Sequence, residues 1–344
     1  MMRSLLLMFV LLCFSTAQAA EQYVLKFATL APAGTSWMNI LDEWAKQVAH
    51  DSGGRLVFKM YPGGVAGDEP DVLRKIRFGQ LQGGAFSGHG IGLIYSPARV
   101  LEMPFLYRDI QEIDYVRQHL MPDIDKGFRA NNFEEIGWME IGFVRFFSRK
   151  PINTIDDLRK SRVWMWQGDA LGQAFFDATN IAPVPLSIAD VYTSLSTGLI
   201  DTVPSPPLAA IAMQWFTKTS YVTNTPMFNA IGALLVDRKF YNKLPPDLQK
   251  LLKTTGTAVG EHLIAETRKD NDKSIEVLRQ NGFKFTMNPG DVKESELFDM
   301  RDKAEALLAK SGYIPQDMFD RARKLLEEYR AAHPQNEPAQ AQPH

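Results

Sequence analysis

Tyr23-Val24-Leu25-Lys26-Phe27-Ala28-Thr29, Leu56-Val57-Phe58-Lys59-Met60-Tyr61 and Gly83-Gly84-Ala85-Phe86 are three short apolar runs, and what separates them decides the fold. The first alternates Tyr, Leu and Phe with other residues, which is the period of a strand. Ala31-Pro32-Ala33-Gly34 interrupts it, and Ser36 is placed to cap a helix reaching about residue 49. Trp37, Ile40, Leu41, Trp44 and Val48 fall on one face of that helix, and Ser52-Gly53-Gly54 ends it. Pro62-Gly63-Gly64 closes the second run, and a further helix is expected over 68–78. Strand, helix, strand, helix, strand within roughly 65 residues is the pattern of a parallel sheet covered by helices. Such sheets hold ligands at the carboxyl ends of their strands. Thr29, Glu69, Phe86 and Ser87 are therefore candidate ligand-binding residues.

Working outward, 141–147 and 162–166 read as strands and 170–178 as a helix. Ser187 caps a helix over 190–196, Gly198 ends it, and a short strand over 199–203 is broken by Pro204 to Pro207. After an apolar strand at 231–236, Leu244-Pro245-Pro246-Asp247 starts a long helix over 248–280, slightly weakened by Gly256 and Gly260. At 1.5 Å per residue it extends roughly 50 Å, enough to run across two lobes. A strand at 283–286 and helices at 293–311 and 316–332 follow. The polar, Pro-rich end, 333–344, reads as a disordered tail.

The N-terminus carries a different signal. Arg3 precedes the apolar run Leu5 to Phe14, and Ala17-Gln18-Ala19 follows. A basic start, an apolar core of about ten residues and an A-x-A end make a cleavable secretory leader over 1–20, too short for a bilayer anchor of roughly 20 residues. The expected location is the periplasm. Cleavage removes Cys13, the only cysteine, and Leu12 before it is too large for lipoprotein processing. Disulfides, cysteine-based zinc sites and cysteine nucleophiles are thereby excluded from the mature chain. With 344 residues, 45% of them hydrophobic, the chain exceeds what one core usually supports. The net charge of −2 gives no footprint for nucleic acid.

Enzyme signatures are missing. There is no G-x-S-x-G, no phosphate loop and no H-E-x-x-H. Gly88-His89-Gly90-Ile91-Gly92 places its last glycine one residue early for a dinucleotide fingerprint. The histidines are scattered, and His89, just past a strand, reads as a satisfied loop residue that is also within reach of a ligand. Glu134-Glu135 and Asp156-Asp157 read as solvated or capping acids. No cofactor, no metal and no catalytic residue is expected.

Three stretches carry a resemblance. Tyr61-Pro62 leads into Gly67-Asp68-Glu69; Pro151-Ile152 leads through Asp156-Asp157-Leu158 to Arg162-Val163; and Pro183-Val184-Pro185-Leu186-Ser187 leads through Asp190-Val191-Tyr192 to Gly198-Leu199-Ile200-Asp201. In this order they resemble the substrate-binding subunit of TRAP (tripartite ATP-independent periplasmic) transporters, over about 23–330. The resemblance implies an α/β, two-lobed periplasmic-binding-protein fold. Each lobe is a mixed sheet flanked by helices, and the long helix is a spine across both. The expected division is lobe I from 21–142 with 230–268 and lobe II from 143–229 with 269–332. The implied role is capture of an organic acid between the lobes and its delivery to small and large membrane subunits, with no chemistry performed.

The resemblance also implies that Arg162 pairs with a ligand carboxylate, since a guanidinium offers two parallel donors to that group. The sequence departs from the family's acid binders nearby. Trp164-Met165-Trp166 follows Val163 where a proline and a polar residue are usual. A second family arginine falls at Val144, with Arg145 one residue later, an offset that reverses its face on a strand. If Arg162 faces the cleft, period-two alternation sends Trp164 and Trp166 the same way, and the ligand then has an aromatic or aliphatic part. Met165, Ile188 and Ser205 complete the candidate set. Two other readings remain open: a carrier of uncharged or lipid-like apolar ligands, and a secreted α/β hydrolase.

Overall fold

The computed structural model describes residues 21–334, so the leader and all but the first two residues of the expected tail lie outside the described residues. Strands β1 (Tyr23–Thr29), β2 (Leu56–Tyr61) and β3 (Gly83–Ser87) alternate with helices α1 (Ser36–Asp51) and α2 (Glu69–Arg77). β1 pairs in parallel with both β2 and β3. The cap of α1 is Thr35 and not Ser36, its side chain accepting from the Met38 N–H. Trp44 of α1 packs its ring on Phe58 of β2 and edge-on against Phe27 of β1. Each such fully buried large side chain stabilises the fold by about 1.5–3 kcal/mol.

The stretch after β3, where the sequence suggests no element, is helical: α3 (Gly88–Tyr95), a 3-10 turn over Ser96–Glu102 and α4 (Ile110–Ala130). β4 (Phe133–Phe143) follows, and β5 (Arg145–Ser148) continues it past Val144. The expected strand over 141–147 is thus two strands. Gly142, at φ 117°, turns the chain from one into the other. Then come α5 (Ile155–Arg159), β6 (Trp164–Trp166), α6 (Ala170–Thr179), β7 (Val184–Leu186), α7 (Val191–Thr197), β8 (Thr202–Ser205) and α8 (Pro207–Ala212). β9 (Tyr221–Thr223), β10 (Asn229–Asp237), α9 (Arg238–Tyr241), α10 (Pro246–Gln280), β11 (Lys284–Thr286), α11 (Glu294–Ser311) and α12 (Gln316–Ala332) complete the chain.

Two mixed sheets result. One has the order β2-β1-β3-β10-β4, the other β11-β9-β5-β8, and β6–β7 is a parallel ribbon tied to the second through a Val163–Thr202 bridge. The chain passes between the sheets at β4–β5 and again between β9 and β10. The two passages hydrogen-bond to each other, Val144 N–H to Phe228 O (2.8 Å) and Met227 N–H to Val144 O (2.9 Å).

α10 spans 35 residues, about 52 Å at 1.5 Å per residue. It lies along β4 and reaches the second sheet's core through Leu278, so it is the expected spine. Lys253 donates to the Glu135 carboxylate (2.5 Å), and Arg268 joins Glu140 of β4 to Asp114 of α4 (2.8 Å each). Glu134 and Glu135 are therefore buried partners of Arg129 and Lys253, not solvated acids. The C-terminal helices correct another expectation. Phe319, Ala322 and Leu326 of α12 share a core with Leu120 and Ile124 of α4, and Arg330 pairs with Glu112 (2.6 Å). Helix α12 thus belongs with the first sheet, whereas the expected division put 269–332 in lobe II.

Gly256 and Gly260 are not mere weak points of the spine. A Cβ on Gly256 would overlap the carbonyl oxygen of Ile136, one on Gly260 that of Trp138, and one on Gly137 that of Gly256. The helix and the strand touch backbone to backbone. Two effects then oppose each other in Gly260→Ala: helix propensity favours alanine by about 1 kcal/mol, and overpacking costs about 1–3 kcal/mol. Because the obstacle is backbone, overpacking wins. Urea unfolding is expected to show Gly260→Ala and Gly256→Ala destabilised; a stabilised variant would place the helix away from the strand.

Candidate functional site

Thr29 ends β1 and Ser87 ends β3, and both border a cavity of about 220 Å³ between the two sheets. The parallel strands thus deliver their carboxyl ends to it, as expected. Trp164, Met165 and Trp166 of β6, Ile188, and Pro204-Ser205-Pro206 face it from the other side. Val144 and Phe228 close it where the chain passes between the sheets.

The wall is mostly apolar and rich in aromatic rings and thioethers. Trp37, Trp164, Trp166 and Trp215 all touch it, with Phe175, Phe176, Met139, Met213 and Met227. Trp164 lies 5.3 Å from Trp215 and 5.7 Å from Trp166, and Trp166 stacks on His89 at 5.0 Å with 24° between the planes. Two indole N–H groups are satisfied outside the cavity: Trp164 donates to Leu186 O (3.1 Å) and Trp166 to the Asp68 carboxylate (3.0 Å). The ring faces are left for a ligand.

One end is polar. Glu69 accepts from the Ser87 N–H (2.6 Å), the Ser87 hydroxyl (2.8 Å) and the Gly90 N–H (2.6 Å), so its side chain ties α2 to the start of α3. Burial pushes its carboxyl up to about 7 against the pull of these donors. Arg99 is the only lysine or arginine on the wall among the described residues, and it is fully engaged. Its Nε meets Glu102, and Nη1 and Nη2 donate to the two oxygens of Asp169 (3.0 and 3.3 Å). Burial disfavours all three charges, but the Arg99 guanidinium brings Asp169 below the usual carboxylate range and is itself held charged; Glu102 stays raised by burial. His89 is buried, its pKa is lowered by that burial, and its Nε2 has no hydrogen-bond partner among the described residues.

Serine, glutamate and histidine here are not arranged as a Ser–His–acid relay among the described residues. The Ser87 hydroxyl donates directly to Glu69, and no imidazole receives its proton.

Of the residues expected from sequence, Thr29, Glu69, Ser87, Trp164, Met165, Trp166, Ile188 and Ser205 border the cavity. Phe86 does not. Alternation along β3 turns Ala85 and Ser87 to the cavity and buries Phe86 in the core beneath. Arg145 does not either: Val144 faces the cavity, and Arg145 donates to the carbonyls of Thr223 and Asn224 on the far side. Burial, with help from Arg279, lowers its pKa to about 10. The largest correction concerns Arg162. Its side chain is 58% exposed and pairs with Asp201 at 3.1 Å. β6 begins two residues later, so the alternation that turns both tryptophans inward does not extend back to Arg162.

Arg99, Glu102 and Asp169 were not foreseen, because no motif marks them. His89, which the sequence places past a strand as a satisfied loop residue within reach of a ligand, sits on the wall in the first turn of α3 with an open nitrogen.

The family model described as bacterial extracellular solute-binding protein, family 7, matches residues 27–312. The chain is 21% identical to the 2,3-diketo-L-gulonate-binding periplasmic protein YiaO of Escherichia coli, over 78% of each chain. A TRAP periplasmic solute-binding protein from Sulfitobacter, solved with β-D-galacturonate, superposes with a TM-score of 0.80 at 19% identity, covering 89% of this chain and 100% of that one. One from Desulfovibrio salexigens, solved with orotic acid, gives 0.81 at 20% identity, with 89% and 99% covered.

Two measurements test the site. Arg162→Ala removes an exposed guanidinium and leaves Asp201 its Arg162 N–H and Thr202 hydroxyl donors, so stability should fall by no more than about 1 kcal/mol and ligand affinity should stay within about twofold; a large loss of affinity would return Arg162 to the cleft. For Glu69, the folded pKa of about 7 lies above the ordinary 4.5. Its stabilising contribution is then complete below 4.5 and lost as pH rises through 7. Unfolding free energies of the native chain, taken relative to Glu69→Gln, should decline across that window and level off above it. A flat difference would mean that Glu69 does not titrate there.

Proposed function

The chain belongs to bacterial extracellular solute-binding protein family 7, the substrate-binding subunits of TRAP transporters, and from that premise we propose that it encloses one small organic solute in the periplasm and delivers it to a small and a large membrane subunit. Export is supported by the leader-like residues 1–20. The solute, in this reading, is uncharged at its polar end and has an aromatic or aliphatic body. One observation carries this choice: among the described residues the one arginine on the wall is already paired with Asp169 and Glu102, while four tryptophans face the remaining space.

The physics weighs against an anion. A carboxylate entering this cavity finds, among the described residues, no cation on the wall that is not already paired, and an unpaired buried charge costs several kcal/mol. A hydroxyl or amide needs only one or two partners, and His89 Nε2 offers one. The apolar body gains about 25 cal/mol for each Å² removed from water.

A second reading keeps the organic acid. It draws on the galacturonate and orotic acid held by the structural neighbours and on Arg99. In that case the ligand carboxylate takes the place of Asp169 on Arg99.

Mass spectrometry of the small molecule released from denatured, freshly purified protein separates the two. A neutral compound with an aromatic or aliphatic body is expected. A carboxylic acid, with affinity lost at least tenfold in Arg99→Ala, would decide for the second reading.

A further inference from the structure

One carboxylate oxygen outside the cavity gathers three donors from across the cleft. Asp68 stands at the start of α2, on the side of the first sheet, and its Oδ1 caps that helix by accepting from the Glu69 N–H (2.7 Å). Its Oδ2 accepts from Trp166 Nε1 (3.0 Å), the Ser187 hydroxyl (3.0 Å) and the Ile188 N–H (3.3 Å). All three donors belong to the β6–β7 ribbon and the turn after it, which are attached to the second sheet.

The donors are not incidental. Trp166 and Ile188 are themselves part of the cavity wall, whereas Asp68 is not. Trp166 is held from the first sheet's side twice, at its edge by Asp68 and on its face by the His89 ring. Both of these contacts form only when the two sides are together. The two sides are also joined by backbone at Val144 and Phe228 and, three residues after Trp166, by the Arg99–Asp169 ion pair.

We propose that Asp68 is a positioning residue that latches the cleft: its Oδ2 holds Trp166, Ser187 and Ile188 across the gap, so that closure and completion of the ligand-facing wall are one event. Hydrogen bonds to a charged acceptor are the stronger kind, and together three of them favour the closed form by about tenfold or more. The bias exists without a ligand, because none of the four partners needs one.

The test uses the mature chain without ligand. It has no cysteine once the leader is gone, so Phe78→Cys and Leu199→Cys, both exposed and on opposite sides of the cleft, accept spin labels cleanly. Pulsed dipolar spectroscopy then reads the distance distribution between them. Asp68→Ser is the informative variant: serine caps a helix about as well as aspartate but is too short to cross the gap. It should reduce the short-distance population relative to the long about tenfold, and Ser187→Ala should shift it the same way by less. Thermal unfolding should be nearly unchanged in Asp68→Ser, since the cap survives. Distributions identical to the parent in both variants would overturn the latch and leave Asp68 as a helix cap alone. The outcome does not depend on which solute the cavity takes, so it fails or stands apart from the ligand assignment.

Discussion

The contact between α10 and β4 is the constraint on which the rest is built. A helix laid on a strand is normally held off by side chains. Here Gly137, Gly256 and Gly260 leave none at the crossing, and carbonyls of one element face the backbone of the other. This sets the height of the spine over the first sheet. It also sets where α10 emerges to meet α8 and, through Leu278, the second core. Charged ties at Lys253 and Arg268 fix the helix along the strand without filling the crossing. With the spine placed, the two extended segments around Val144 and Phe228, hydrogen-bonded to each other, join the sheets at the cavity and are where relative movement of the sheets would bend the chain.

The cavity reflects a balance of desolvation against pairing. Three carboxylates and one guanidinium are buried at one end, and burial of charge is tolerated only with partners. Arg99 answers two of the carboxylates, and three donors around the start of α3 answer Glu69. An unpartnered His89 nitrogen and an apolar wall rich in rings and thioethers remain for a ligand. The chemistry of the site is thus defined less by which charges are present than by which are already spent.

Much of this was legible in the sequence, and the gaps have physical causes. β1, β2 and β3 alternate cleanly and are punctuated by Pro and Gly, so period and turns agree. α3 was invisible because Gly88, Gly90 and Gly92 are poor helix formers. It exists because their missing side chains make room for Glu102, Glu69 and Tyr313, a tertiary reason that no local pattern carries. α4 was hidden by Pro122 in its interior. The family resemblance places Arg162 at the ligand, and alternation counted from it leads to Trp164 and Trp166; the tryptophans do border the cavity, but β6 begins only at Trp164, so Arg162 does not share their face. Arg99 and Asp169 lie 70 residues apart and meet only through the fold. A single arginine in an unremarked turn offers nothing for sequence reasoning to seize on.

The tryptophan and methionine wall also gives the receptor a calorimetric character. Water released from aromatic and thioether surface carries a large heat capacity, so filling this cavity has a negative heat-capacity change. The enthalpy of capture then grows more favourable with warming while its entropy declines, and affinity follows a curve with a maximum instead of a straight van't Hoff line. A cleft gripping a sugar acid through ion pairs would lack most of that curvature.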